Sequence, residues 1–298
     1  MKNKKPNFLI IGAMKAATTS LYSYLKQHPD IFFPSIKEPM FFNNLHNKKY
    51  IIKGVNKKKR INFDDYYNLF KDVKNEKSIG EASPIYLYNK NCPELIKKHL
   101  PETKIIVVLR QPVERAYSNY LHAKKSGRES LNNFEDAIKE ESSRIKNNWS
   151  PLYHYKNQGY YFKQLSRYYK LFKKENIKII LFEDLTNNPI YTTQEIFKFL
   201  KIDHNFISKT NTKENIGGIP KGILGFILMK MRYYDIMPNI EFKKYLPKAL
   251  LSIIISFSYS KPKKINKELV KKLTKKYYKE DILKLQKLIK KDLKNWLN

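Results

Sequence analysis

The sequence has one cysteine, few arginines and no long apolar run. Cys92 is the only cysteine among 298 residues, so an intramolecular disulfide is excluded and a reducing, cytoplasmic location is expected. The basic start of the chain leads into only about five apolar residues without a cleavage site, which argues against a signal peptide. The longest apolar run, 249–259, is shorter than the ~20 residues that span a bilayer. We expect no transmembrane segment, and at most a peripheral membrane contact by 223–260.

Basic residues outnumber acidic residues by 59 to 27, which gives a formal net charge of +32. Only seven of the basic residues are arginines, the side chain preferred for bidentate recognition of phosphates and bases. We therefore interpret most of the excess charge as a solvated lysine surface and expect no specific nucleic-acid partner. A basic protein that binds polyanions or nucleic acid stays open as one alternative function.

Three short apolar runs predict buried strands at 7–12, 103–109 and 177–182. Helical spacing of apolar residues follows each run, and an amphipathic helix is predicted at 134–146. Buried strands that alternate with helices form a parallel sheet covered on both faces. We therefore predict one α/β domain over 1–298, with a central parallel sheet flanked by helices in three layers.

The first predicted strand runs into a loop of small and hydroxyl residues that opens a helix. Small residues let backbone N–H groups close around a phosphate, and a helix N-terminus adds partial positive charge. Lys15 can reach the oxygen between that phosphate and a leaving group. The candidate binding residues of this P-loop-like turn are Gly12, Lys15, Ala16, Ala17, Thr18, Thr19 and Ser20.

This loop is not a Walker A motif, which requires GxxxxGK[ST]. Lys15 lies three residues after Gly12, and neither Ser nor Thr follows it directly. The sequence also offers no acidic strand end suited to Mg²⁺, so we expect no metal. A P-loop nucleotide kinase stays open as a second alternative, although it leaves the next motif without a role.

A second motif follows the strand at 103–109. Arg110 stands directly after that strand, where its guanidinium can grip a phosphate with two hydrogen bonds. Ser118 comes eight residues later, roughly two turns into the helix that Pro112 opens. Its hydroxyl can turn to the same anion. An Arg–carboxylate pair with a surface serine is the simpler interpretation of each residue alone.

A third motif, SIKEPMFF at 35–42, places a carboxylate among apolar residues. Glu38 is followed by Pro39, Phe41 and Phe42, which are expected to shield it from water. Such a carboxylate suits proton abstraction from an acceptor. A surface Lys–Glu pair before a proline turn is the alternative interpretation, and Glu81 is the next candidate base.

In this order the three motifs resemble the sulfotransferases that use 3′-phosphoadenosine-5′-phosphosulfate (PAPS). The similarity is greatest to the carbohydrate branch of that family, with its heparan-type enzymes and bacterial relatives. FLIIGAMKAATTSLYSYLKQHP is similar to the 5′-phosphosulfate loop, VVLRQPVERAYSNY to the 3′-phosphate motif and IKEPMFF to the segment with the catalytic glutamate. Further similarity at 80–87, 157–172, 178–185 and 277–296 extends the resemblance over nearly the whole chain.

The resemblance implies in-line transfer of a sulfuryl group from PAPS to an acceptor hydroxyl or amine. Glu38 and Lys15 would be catalytic, as base and as the cation at the bridging oxygen. Arg110 and Ser118 would hold the 3′-phosphate, and Tyr160 would lie near the donor. The products would be adenosine 3′,5′-bisphosphate (PAP) and a sulfated acceptor, which we expect to be a glycan or glycolipid.

Several positions depart from the pattern of the heparan-type enzymes. Ala16 and Ala17 stand where a glycine is common, and Met40 stands where that branch often has histidine. Asn43 replaces an acidic residue and Ala82 replaces a lysine. These departures leave the donor motifs intact and argue against a heparan-like acceptor.

Overall fold

The computed structural model of the protein describes residues 4–45, 62–210 and 264–298, together with short pieces at 219–222, 225, 227 and 258–260. Its centre is a five-stranded parallel sheet with the strand order β2-β3-β1-β4-β5. The strands are β1 Phe8–Gly12, β2 Ile31–Phe32, β3 Ser78–Ala82, β4 Lys104–Leu109 and β5 Ile177–Leu181. A second pair, β6 Ile219–Pro220 and β7 Tyr259–Ser260, is antiparallel.

Helices cover the parallel sheet and complete the predicted α/β fold. They are α1 Thr18–Leu25, α2 Phe41–Asn44, α3 Phe63–Asn68, α4 Cys92–His99, α5 Pro112–Lys125, α6 Phe134–Lys146, α7 Tyr161–Leu171, α8 Phe182–Asn187, α9 Pro189–Leu200, α10 Lys267–Tyr277 and α11 Lys279–Ile289. Within the described residues, no helix is both long and apolar enough to cross a membrane. The predicted peripheral contact by 223–260 lies almost wholly outside them.

The middle of the sheet consists of residues buried on both faces. All of β1 is buried, and β4 is buried from Ile105 onward. In the register, Leu9 of β1 stands opposite Glu81 of β3 and Ile105 of β4. Because β1 and β4 are parallel neighbours, the loops after them meet at one edge of the sheet, where ligands of such folds bind.

The C-terminal part of the chain is fastened to the edge at which β4 ends. The Gln111 side chain caps α5 by accepting a hydrogen bond of 2.9 Å from the Glu114 N–H. Its amide donates to Thr274 Oγ1 at 2.6 Å and to the Trp296 carbonyl at 3.3 Å. One buried amide therefore joins the start of α5 to α10 and to the end of the chain.

Candidate active site

The loop after β1 is shaped by residues in left-handed conformations. Lys15 has φ 68° and Ala17 has φ 62°, values that non-glycine residues seldom adopt and that often mark functional sites. The Ala13 N–H donates to the Val108 carbonyl at 2.7 Å and holds the loop against β4. A side chain at Gly12 would meet Leu87 Cβ at 2.7 Å, so only glycine fits where the strand ends.

The first turn of α1 has no side-chain cap. Its N-cap residue is Ala17, whose side chain offers no hydrogen-bond acceptor, and the turn consists of Thr18, Thr19 and Ser20. Backbone N–H groups at a helix start need partners, and alanine is a poor N-cap. The uncapped N–H groups and the helix dipole are suited to bind an anion at this position.

Lys15 lies partly buried among charged groups of three segments. The pKa of Lys15 is lowered to about 8, chiefly by burial and then by the cations Lys125, Arg110 and Arg115, and Glu38 opposes this fall. Charges that influence one another in this way lie close together. The structure therefore brings Lys15, Arg110 and Glu38 near one another at this edge of the sheet. We refer to the space between these three side chains as the cleft.

Arg110 is held in place at the end of β4. Its Nε and Nη2 atoms donate to Glu114 Oε2 at 3.3 and 3.1 Å, and its guanidinium lies 4.5 Å from the centre of the Phe182 ring. The Arg110 carbonyl accepts a hydrogen bond of 2.9 Å from the Tyr161 hydroxyl. The bonds to Glu114 use two of the five guanidinium N–H donors. The carboxylate pair thus orients Arg110 and leaves donors for an anion.

Ser118 lies half-buried in the middle of α5. Lys125 is seven residues further along this helix, so the two side chains lie on the same face. Lys125 is close enough to Lys15 to lower its pKa, after the effect of burial. Ser118 therefore shares a helix face with a residue near Lys15, and its contact with a phosphate stays a prediction.

Glu38 lies in the loop between β2 and α2, and its surroundings differ from the prediction. Pro39, Phe41 and Phe42 are buried in the core and do not enclose the carboxylate, whose side chain is 34% exposed. Left-handed conformations at Glu38 and Met40, with φ 56° and 54°, turn the chain between the core and the cleft. The carboxylate is therefore partly buried and partly open to water, and its role as the base stays a prediction.

Lys37 connects the Glu38 loop to the phosphate loop, a contact that the sequence analysis missed. Its Nζ donates to Thr19 Oγ1 at 2.7 Å and lies 3.6 Å from Glu38 Oε1. The Lys–Glu pair thus exists, but it lies inside the site and not on a remote surface. An eighteen-residue separation between Lys37 and Thr19 gives no signal in helix or strand periodicity.

Arg115 is a second residue that sequence reasoning did not single out. It is fully buried, donates to the Tyr155 carbonyl and lies 3.5 Å from Gln158 Oε1. Its charge contributes to the lowered pKa of Lys15, after burial and nearer charges. The sequence signal that could have indicated Arg115 is its position on the inner face of the helix that follows Arg110.

Tyr160, the weakest of the predicted donor residues, is half-buried before α7. Its ring centre is 5.2 Å from that of Tyr278, and burial raises the pKa of its hydroxyl. A side chain at Gly159 would meet the Tyr278 ring at 2.8 Å, so this corner is closely packed. The observed contacts tie Tyr160 to α10 and α11, and its role towards a donor stays a prediction.

Glu81 is unsuited to be the reserve base that the sequence suggested. It is fully buried, its Oε2 accepts a 2.6 Å hydrogen bond from the Tyr66 hydroxyl, and its Oε1 accepts one of 2.6 Å from Ser83. Burial raises the pKa of this carboxyl, and its hydrogen bonds oppose the rise. An acceptor cannot reach a group enclosed in this way.

Comparisons with known proteins agree with the geometry of the cleft. A family model described as a sulfotransferase domain matches residues 5–296. Carbohydrate sulfotransferase 15 of Mus musculus is 29% identical over 250 residues, which are 66% of this chain and 44% of that protein. The bifunctional heparan sulfate N-deacetylase/N-sulfotransferase 2 of Homo sapiens is 31% identical over 228 residues, 70% of this chain and 23% of that protein. The chain thus spans less than half the length of either relative.

Among solved structures, a sulfotransferase from Alicyclobacillus acidocaldarius is similar over 99% of this chain and 100% of its own. The two share 28% sequence identity, and their structures superpose with a TM-score of 0.77. The similarity in sequence covers the strand ends with Lys15 and Arg110 as well as the C-terminal helices. The resemblance inferred from the motifs is confirmed, and the chain belongs to the sulfotransferase domain family.

Proposed function

We propose that this protein transfers a sulfuryl group from PAPS to a hydroxyl or amine of a glycan or glycolipid. Membership of the sulfotransferase family sets aside the nucleotide kinase. The observation that carries the proposal is that Arg110, at the end of β4, and Glu38, in the loop after β2, both lie close enough to Lys15, after β1, to affect its pKa. It supplies two cations for an anionic donor and one carboxylate for a proton.

For donor binding, we assign the 5′-phosphate to the loop after β1. The uncapped N–H groups of α1 and the Lys15 ammonium are donors suited to that phosphate. Arg110 and Ser118 are assigned to the 3′-phosphate, which distinguishes PAPS from ATP. The fixed guanidinium of Arg110 supports this assignment, since a pre-oriented fork loses little entropy when it binds an anion.

The chemical step requires one proton acceptor and one cation. Glu38 takes the proton of the acceptor hydroxyl as its oxygen forms a bond to sulfur. Lys15 stabilises the negative charge that develops on the phosphate oxygen as the bond between this oxygen and sulfur breaks. Sulfated acceptor and PAP result, with the proton on Glu38. Positioning and charge stabilisation account for the rate enhancement in such a transfer.

The acceptor class is proposed from the relatives, which are named as carbohydrate and heparan sulfate sulfotransferases. Met40, Asn43 and Ala82 depart from the heparan-type pattern on the acceptor side. A glycan other than heparan therefore fits this site best. The cytoplasmic location expected from the single cysteine stays a prediction.

An acceptor screen with labelled PAPS tests this function. The protein is incubated with the donor and a panel of glycans, glycolipids, amines and small phenols. Label in a glycan or glycolipid supports the proposal, whereas label in the phenols alone would contradict the acceptor class. Binding of PAP that saturates at one site also separates the enzyme from a polyanion-binding protein, whose affinity would fall steeply with salt and ignore the 3′-phosphate.

A further inference from the structure

Glu81 is a fully buried carboxylate on β3 whose observed partners are hydroxyl groups. The hydroxyls of Tyr66 and Ser83 each donate to one of its oxygens at 2.6 Å. Distances of 2.6 Å are typical of charge-assisted bonds to a carboxylate. Burying a carboxylate is unfavourable even with such bonds, and an apolar residue would suffice for packing. The carboxylate therefore calls for a role beyond packing.

One of these hydroxyls makes a second contact, with the loop between β2 and α2 that carries Glu38. Ser83 Oγ accepts a hydrogen bond of 3.0 Å from the Met40 N–H. A hydroxyl has one hydrogen, so donating it to Glu81 turns the oxygen lone pairs to this N–H. Glu81 thus sets the direction of a relay that ends on the loop.

The loop that the relay from Ser83 holds, between β2 and α2, has an unusual backbone. Glu38 and Met40 both have positive φ, which non-glycine residues adopt only when their surroundings enforce it. The Met40 N–H lies two residues after Glu38, and the bond to Ser83 fixes the second of these two conformations. Losing that bond would release the carboxylate from its place in the cleft.

The same segment is fixed to the strand that carries the phosphate loop. The Ser83 N–H donates to the Ile10 carbonyl at 3.0 Å, and the Leu87 N–H donates to the Ile11 carbonyl at 2.8 Å. β1 continues from these residues into the loop with Lys15. The relay therefore couples the position of Glu38 to β1, the strand that positions Lys15.

We propose that Glu81 is a positioning residue, which acts through Ser83 to hold the Glu38 carboxylate at the acceptor. This inference rests on the proposed function, in which Glu38 is the base. Misplacing a reacting group by 1 Å costs up to ~10²-fold in rate. Loss of the relay should therefore lower turnover, whereas donor affinity, which depends on Lys15 and Arg110, should not change.

Two single variants with one hydroxyl removed test the inference. Ser83→Ala removes the relay, whereas the matched control Tyr66→Phe removes a bond to the same carboxylate without touching a loop N–H. We expect Ser83→Ala to lower kcat about 10-fold to 100-fold, with KM for PAPS and the Kd of PAP unchanged. Tyr66→Phe should lower the melting temperature similarly and keep kcat near wild type. A fall in kcat that follows lost stability equally in both variants would overturn the inference.

A double-mutant cycle separates this inference from the proposed function. In a Glu38→Gln background, Ser83→Ala has no base to position and should change residual single-turnover rates less than about 2-fold. If its full effect persists there, the relay acts on something other than Glu38 and the inference fails. If Glu38→Gln itself keeps normal turnover, the proposed base is wrong and the inference falls with it. If Glu38→Gln is slow but Ser83→Ala is not, only the inference fails.

Discussion

The donor side and the acceptor side of the cleft are built in different ways. Lys15 and Arg110 come directly after buried strands, and main-chain pairing of β1 with β4 sets their separation. Glu38 follows a strand of only two residues, and hydrogen bonds made by the side chains of Ser83 and Lys37 hold its loop. One half of the site therefore depends on the sheet, and the other half depends on specific side chains.

Glu38→Gln should produce the largest effect, and it should impair only the acceptor side of the site. The substitution keeps the shape of the side chain and removes its basicity, so kcat should fall ~10²–10⁴-fold. Donor binding should stay within about 2-fold, because donor binding is assigned to the other side of the cleft. Steady-state kinetics with the true acceptor and calorimetry with PAP measure the two effects. Near-normal turnover would show that the base lies elsewhere.

Lys15→Ala should impair both donor binding and the chemical step. Lys15 contacts the donor in the proposed complex and stabilises the leaving oxygen, so its loss should lower kcat by ~10²–10³-fold and also weaken PAP binding. The same two assays distinguish it from Glu38→Gln. Unchanged PAP affinity in Lys15→Ala would remove this lysine from the donor site.

How far the sequence predicts the site follows the same division. Lys15 and Arg110 could be placed after neighbouring strands because each follows an apolar run whose end is easy to locate. The position of Glu38 could not, since it depends on φ 56° and on a bond between Met40 and Ser83, 43 residues apart. Neither leaves a pattern with a period of two or of 3.6 residues.

The fold itself was largely predictable for a similar reason. The buried strands are continuous apolar runs and the helix at 134–146 has a helical period, and their observed bounds agree with the prediction. The strand β2 and the short helix α2, with two and four residues, are too short to show a period. These two elements flank Glu38, which explains why the acceptor side was predicted less well.

Arg110→Ala should weaken the donor side without changing the base. Hydrogen bonds to charged groups contribute about 1.5–3 kcal/mol, so affinity for PAP should fall about 10-fold to 100-fold. Affinity for 5′-AMP, which lacks the 3′-phosphate, should change far less. Calorimetric titration of both nucleotides measures the difference. An equal loss for the two would show that Arg110 does not bind the 3′-phosphate.

The pH dependence of donor binding is a smaller effect, and it concerns the donor side alone. Lys15 has a pKa of about 8, because burial and the cations around it disfavour the charged form. Below this pH the ammonium is present and binds the anion, and as the pH rises through 8 the proton is lost. PAP affinity should therefore fall about 10-fold between pH 7 and pH 9. In Lys15→Met the affinity should be lower and nearly flat over this range, and an unchanged slope would assign the titration to another group.

Recognition of the 3′-phosphate is the central claim, because it distinguishes a PAPS-dependent enzyme from other nucleotide-binding proteins. The most direct measurement compares thermal unfolding of the protein with PAP and with 5′-AMP at the same concentration. At 100 times its Kd, PAP should stabilise the protein by about 2.7 kcal/mol, and 5′-AMP should stabilise it far less. Equal stabilisation by the two nucleotides would contradict the account.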